Sequence, residues 1–180
     1  LAETVTSSRR IYEGRVINLR VDTVVLQNDE TSKREIVEHH GAVAIVPLYD
    51  DGTVVLVRQF RLAAGKPMLE IPAGSVEPGE PVDDTAHREL AEEVHLSATE
   101  MRKLYQSFVA PGYSTELIHT YLARGLSAKT LKGDDDEFLD IIRLPLEEAI
   151  AKIDSGEIED AKSISGLLYV SRLLQKGSTT

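Results

Sequence analysis

Cysteine is absent from this 180-residue chain, and so is tryptophan. Without cysteine there is no disulfide to staple the fold and no thiolate to attack a substrate or hold a soft metal, a composition that fits a reducing cytoplasm. Basic residues are scarce against acidic ones, 20 to 30, leaving a net charge of -10. A surface of that sign repels nucleic acid polymers, which require a basic footprint. Long apolar runs are missing too: no stretch approaches the ~18 residues that a membrane helix needs. The opening residues LAETVTSS lack the basic-then-apolar pattern of a secretion signal. A cytoplasmic location is the expectation. What is present is ordinary for a folded domain: 42% hydrophobic and 28% charged residues, on a chain long enough for one domain with a sizeable core.

The patterning predicts an α+β chain without internal repeats. Residues 9–26 alternate apolar and polar and read as one or two strands, and residues 34–40 as another. The apolar run Ala42 to Leu48 predicts a buried strand. The turn signal Asp50-Asp51-Gly52 joins it to a partner over Thr53 to Phe60. MLEIP, residues 68–72, reads as a short strand. A helix is expected from Pro81, with Val82, Ala86, Leu90 and Val94 as its apolar stripe. Strands are predicted over 101–109, 116–123 and 138–143, and helices over 146–153 and 163–174. Strands and helices do not alternate regularly, which argues against a βαβ series.

One stretch is overloaded with charge. GSVEPGEPVDDTAHRELAEEVHL, residues 74–96, carries Glu77, Glu80, Asp83, Asp84, Glu89, Glu92 and Glu93, with Glu70 just upstream. Like charges three or four residues apart on a helix repel one another. Glu89 and Glu93 are four apart and project from one face, with Glu92 beside them and the apolar stripe turned away. Such a face is either solvated or a site for a hard cation such as magnesium, which takes oxygen ligands and joins carboxylates to phosphates.

The spacing Gly74, five residues, Glu80, seven residues, then Arg88-Glu89-Leu90-Ala91-Glu92-Glu93 resembles the Nudix box. LEIPAG before it, VRQFR at 57–61, PGYSTE at 111–116, DDDEF at 134–138 and GEIEDAKSISGLL at 156–168 are similar to the ADP-ribose pyrophosphatase branch of that superfamily. The resemblance spans most of residues 9–174. It departs at one position: His95 stands where the box has a glycine that closes the helix in a left-handed conformation.

The resemblance implies an α+β Nudix fold, a mixed β-sheet sandwiched between helices, with an N-terminal antiparallel strand segment. Residues 1–40 would be a dimerisation element and 41–180 the hydrolase domain. It implies magnesium-dependent hydrolysis, with manganese as a substitute metal, of a nucleoside diphosphate linked to another group. ADP-ribose, split to AMP and ribose 5-phosphate, is the leading substrate. A nucleotide sugar such as GDP-mannose, or a ligand-binding module with low turnover, are the alternatives. The carbonyl of Ala73 with Glu89, Glu92 and Glu93 would hold the metal, Glu92 shared between metal and catalysis. Arg88 would orient the glutamates, and Glu137, or Asp136 next to it, would handle the attacking water. Arg58, Arg61, Glu77 and Glu116 are the candidate substrate contacts, and Tyr113 would shape the pocket. The partners implied are the small-molecule substrate and a second copy of the chain, with Arg15 to Arg20 near the other protomer's adenosine site.

Overall fold

The computed structural model describes residues 2–129, 131 and 139–177. They form two compact units: Leu1–Gly41 with Ser107–Leu117, and Ala42–Gln106 with Ile118–Thr180.

The first unit is built on an antiparallel sheet in the order β1 (Thr4–Glu13), β2 (Asn18–Val25), β3 (Thr31–Glu38). The expected span of 9–26 is therefore two strands, broken at residues 14–17, where the Gly14 N–H donates to the Ile17 carbonyl at 3.0 Å. β1 begins five residues earlier than expected, at Thr4 instead of Arg9. Those residues are exposed and, apart from Val5, polar, so no apolar alternation marks them. Their pairing with β2, from Thr4 opposite Val25 onward, places them in the sheet. Across the three strands, Arg10 and Arg20 both donate to Glu38, and the Arg20 Nε reaches both oxygens of the buried Asp22 at 3.0 and 3.1 Å. The PGYSTE loop belongs here as well: Val37 exchanges backbone hydrogen bonds with Tyr113 and Thr115 at 2.7 and 2.9 Å.

The second unit holds the core. β4 (Ala42–Pro47) runs parallel to β9 (Leu117–Ala128) and antiparallel to β7 (Ala73–Ser75), in a mixed four-stranded sheet β7-β4-β9-β8 with β8 at Leu96–Phe108. A second sheet pairs β5 (Thr53–Arg61) with β6 (Lys66–Glu70) and β10 (Asp140–Pro145). Every residue of β4 is buried because both of its faces are covered. Ala44 and Val46 face a cluster containing Leu146 and Ala149 of α2 (Leu146–Asp154) and Leu167 and Val170 of α3 (Ala161–Gly177). Val43 and Ile45 face the opposite cluster, with Ala86 and Leu90 of α1 (Val82–Glu93) and Val94 just beyond it. The helical stripe read from the sequence is thus the buried one, and the mixed sheet lies between helices. Among the described residues, no helix is long and apolar enough to cross a membrane.

Strand ends moved where ladders outrun the apolar pattern. β8 starts at Leu96, not 101, and β9 runs to Ala128, not 123. β10 begins two residues late. MLEIP ends as a strand at Glu70, because Ile71 and Pro72 turn toward the short strand β7, which sequence reading did not foresee.

His95 follows α1 with φ 57°, the left-handed region that a glycine would occupy without strain. Replacing it with glycine is expected to raise stability by about 1 kcal/mol. A thermal melt checks this, and an unchanged or lower Tm would show that the exposed imidazole compensates for its backbone.

Candidate active site

The site is assembled from α1, the loop before it and the Glu70–Ser75 turn. Pro81 sits at the N-cap position of α1, and its carbonyl accepts the Thr85 N–H at 3.0 Å. Asp83 and Asp84 occupy the first turn, where the helix dipole favours negative charge. The buried Tyr121 of β9 donates its hydroxyl to Asp83 at 2.5 Å, tying this end of the helix to the sheet. Burial, then that carboxylate, push the phenol above its ordinary pKa.

Arg88 organises the carboxylates. Its Nε and Nη2 fork onto Glu80 at 2.9 and 3.0 Å, and its Nη1 donates to Glu89 at 2.7 Å and Glu92 at 2.8 Å. Nη2 also reaches the Ser75 carbonyl at 3.3 Å. One cation thus serves three glutamates, and its pKa is raised, chiefly by Glu80. Arg88 in turn holds Glu80 down to about 2, with Thr85 and the Glu77 backbone assisting. A carboxyl depressed in the folded state contributes stability that is fully present above its unfolded pKa of 4.5 and lost as pH falls through about 2. The Tm should therefore decline across that window. Glu80→Gln should flatten part of the decline, and identical wild-type and variant pH profiles would show that the Glu80–Arg88 fork contributes nothing to acid stability.

The two outer glutamates are seated against backbone. Glu89 is 8% exposed and Glu93 4%. The Glu93 Oε2 accepts the Ala73 N–H at 2.9 Å, so the metal-ligand expectations for Ala73 and Glu93 fall on residues already in contact. Gly74, which pairs with Val43 of β4, lies against Glu89: a β-carbon there would stand 2.0 Å from the Glu89 Cδ. The glycine that opens the sequence motif is therefore the floor on which the Glu89 carboxylate rests. Among the described residues, no three His, Cys, Asp or Glu side chains stand together as a ready metal cage. The hydrogen bonds explain this: Glu89 and Glu92 turn toward Arg88, and Glu93 toward Ala73. The donor chemistry nonetheless suits a hard divalent cation, being all oxygen and rich in carboxylates.

The other candidates are spread more widely. Arg61 forks onto the buried Glu70 at 2.8 Å through both Nε and Nη2, close enough to Glu93 to feel its charge. Arg58 pairs with Glu157 at 3.1 Å on the surface. Glu77 is exposed, and its backbone closes the turn to Glu80. Glu116 and the exposed Tyr113 belong to the first unit, where the Glu116 carbonyl accepts the Val109 N–H at 3.2 Å. Glu137 and Asp136 lie outside the described residues. Sequence reading counted Glu70 with the acidic stretch but did not foresee its ion pairs, and it overlooked Lys162 and Tyr121 as parts of this region. The signal for the pairing was available: one charge inside the apolar run MLEIP has to find a partner.

Comparison with known proteins agrees with this architecture. Residues 38–167 match the NUDIX domain family, and residues 3–37 match the nucleoside diphosphate sugar hydrolase N-terminal domain. The chain is 39% identical over 172 residues to an ADP-ribose pyrophosphatase of Bacillus subtilis (strain 168), covering 94% of this chain and 93% of that one. It is 42% identical over 170 residues to a methanol dehydrogenase activator of Bacillus methanolicus, covering 93% and 92%. A crystal structure of an ADP compounds hydrolase superposes with a TM-score of 0.88 at 25% identity, covering 100% of this chain and 98% of that one. Fold and carboxylate helix together define a hydrolase of phosphoric anhydrides. The chain belongs to the NUDIX family, as a Nudix pyrophosphatase acting on nucleoside diphosphate derivatives.

Proposed function

We propose that the substrate is ADP-ribose, hydrolysed to AMP and ribose 5-phosphate with magnesium bound at Glu89, Glu92, Glu93 and the Ala73 carbonyl. The observation that carries the metal reading is the seating of Glu89 and Glu93, two nearly buried carboxylates of α1, one against Gly74 and the other against the Ala73 backbone. Carboxylate oxygens gathered on one helix suit a hard divalent cation of the kind this family uses. When bound, it would offset the charge that develops on the diphosphate oxygens and lower the pKa of a coordinated water.

The protein's own groups do the rest. Arg88 holds Glu89 and Glu92 on one side of the helix, and charge-assisted hydrogen bonds fix their orientation. Glu92, the most solvent-accessible of the three, would exchange a proton with water. Glu137 is the proposed base and Asp136 its alternative. Arg61 would take a phosphate oxygen, and Arg58, Glu77 and Glu116 are the further substrate contacts. The full-length similarity to an ADP-ribose pyrophosphatase supports ADP-ribose over GDP-mannose. The comparable similarity to a dehydrogenase activator supports a second reading, in which the chain acts on a partner enzyme. A homodimer is also proposed, supported by β1, an edge strand whose ten residues are all exposed and include Val5, Ile11 and Tyr12.

The test is a panel of ADP-ribose, GDP-mannose and other diphosphates with and without magnesium, reading the monophosphates formed. Fastest turnover of ADP-ribose to AMP, abolished by a chelator, is the expected result. Preference for GDP-mannose would replace the substrate assignment, and no turnover of any diphosphate would overturn the reading. Sedimentation of the free protein as a monomer would overturn the dimer.

A further inference from the structure

The sequence LEIPAG places an ionised residue, Glu70, at the end of β6 with 1% exposure. It is among the largest fully buried side chains of the protein. Two cations reach it. Arg61, at the end of β5, forks onto both its oxygens at 2.8 Å, and Lys162, in the first turn of α3, reaches Oε2 at 2.5 Å. Lys162 is itself held by Asp160 at 2.9 Å. Asp160 accepts the backbone N–H and the hydroxyl of Ser163, and the Ser163 hydroxyl accepts the Ile71 N–H at 2.9 Å. The residue after Glu70 is thus locked to the start of α3 by the same cluster that neutralises Glu70.

A buried ion cluster of this kind is a poor way to gain stability, since well-packed apolar residues of equal volume usually do as well or better. Its geometry suggests a different use. Glu70 occupies the Nε and Nη2 side of the Arg61 guanidinium, and Arg61 remains 42% exposed. No hydrogen-bond partner is present for Nη1 among the described residues. A fork of two parallel hydrogen bonds removes the rotational freedom that an exposed arginine otherwise keeps. The held guanidinium lies near Glu93, whose carboxylate is fixed by Ala73, three residues beyond Glu70.

We propose that Glu70 is a positioning residue that, with Lys162 balancing its charge, holds Arg61 rigidly so that Nη1 receives a diphosphate oxygen of the substrate beside the α1 carboxylates. The inference rests on the reading of Arg61 as a substrate contact. Glu70 itself touches no substrate. Its effect passes through the arginine, because a guanidinium set in advance loses little freedom when the anion arrives.

The experiment is a double-mutant cycle on Glu70→Gln and Arg61→Ala, following KM and kcat for ADP-ribose in saturating magnesium, with Tm for each variant. Glu70→Gln is expected to raise KM about tenfold while kcat changes less than about threefold, and to add nothing further in the Arg61→Ala background. Full additivity of the two KM effects would overturn the proposal, because it would mean that Glu70 acts on something other than Arg61. If Glu70→Gln does not fold, Arg61→Lys decides: lysine keeps the charge but cannot fork, so KM should rise nearly as much as with alanine. A wild-type KM for Arg61→Lys would overturn the proposal. An Arg61→Ala variant with unchanged KM overturns the phosphate contact and the positioning together. A KM that moves with Arg61→Ala but not with Glu70→Gln overturns the positioning alone.

Discussion

Replacing Gly74 with alanine is expected to lower turnover about a hundredfold while shifting the Tm by only a few degrees. The added β-carbon would fall 2.0 Å from the Glu89 Cδ and 2.1 and 2.3 Å from its two oxygens, contacts that cannot exist. What gives way decides the outcome. Gly74 lies in a short strand paired with Val43 and is not among the glycines with positive φ, so alanine suits its backbone. The obstructing group is the far end of a flexible side chain. The carboxylate therefore swings aside and the sheet stays. That movement breaks the 2.7 Å hydrogen bond from Arg88 and removes Glu89 from its place beside Glu93. Misplacing a positioned group by about an ångström is enough to cost two orders of magnitude in rate. Steady-state kinetics with a thermal melt separate this from misfolding. Wild-type turnover in Gly74→Ala would mean that the position of Glu89 does not matter to the reaction.

The same glycine shows how far sequence could go. Its presence at the head of the acidic motif was legible, and so was the helix, because Ala86, Leu90 and Val94 recur at helical spacing and are buried as expected. The reason for the glycine was not legible, since it depends on Glu89, fifteen residues away, returning across the β7–α1 loop to lie on it. Strand pairing escaped in a similar way. Thr4–Ser8 and residues 124–128 carry little apolar alternation, and only ladder partners reveal them as strands. Arg58 and Arg61 were both candidate substrate contacts in VRQFR, with Arg61 the one singled out for a phosphate. One faces Glu157 at the surface, the other a buried Glu70, and nothing local in the sequence separates them. His95 was readable in both respects: a departure from the motif at a helix end, and a residue forced to positive φ.

Glu93→Gln is expected to reduce turnover by roughly two to three orders of magnitude, the several kcal/mol of transition-state stabilisation that a metal site contributes. The substitution keeps shape and an oxygen to accept the Ala73 N–H at 2.9 Å. It removes only the charge. Because Glu93 is 4% exposed and sits close to Arg61 and against Ala73, the amide fits without opening a cavity. The fold should persist, and what should change is the response to metal. A ligand that binds only the native state stabilises it by RT ln(1 + [L]/Kd), about 2.7 kcal/mol at a hundredfold excess over Kd. Wild-type Tm should therefore climb as magnesium is added, while Glu93→Gln climbs less. A wild-type Tm indifferent to saturating magnesium would remove the metal from α1. An unchanged rate in Glu93→Gln, with the metal-dependent shift intact, would move the essential ligand to another glutamate of the same helix. The two readouts are independent, so a variant that is inactive through misfolding cannot imitate one that has lost its cation: the first melts early, the second melts normally and ignores magnesium.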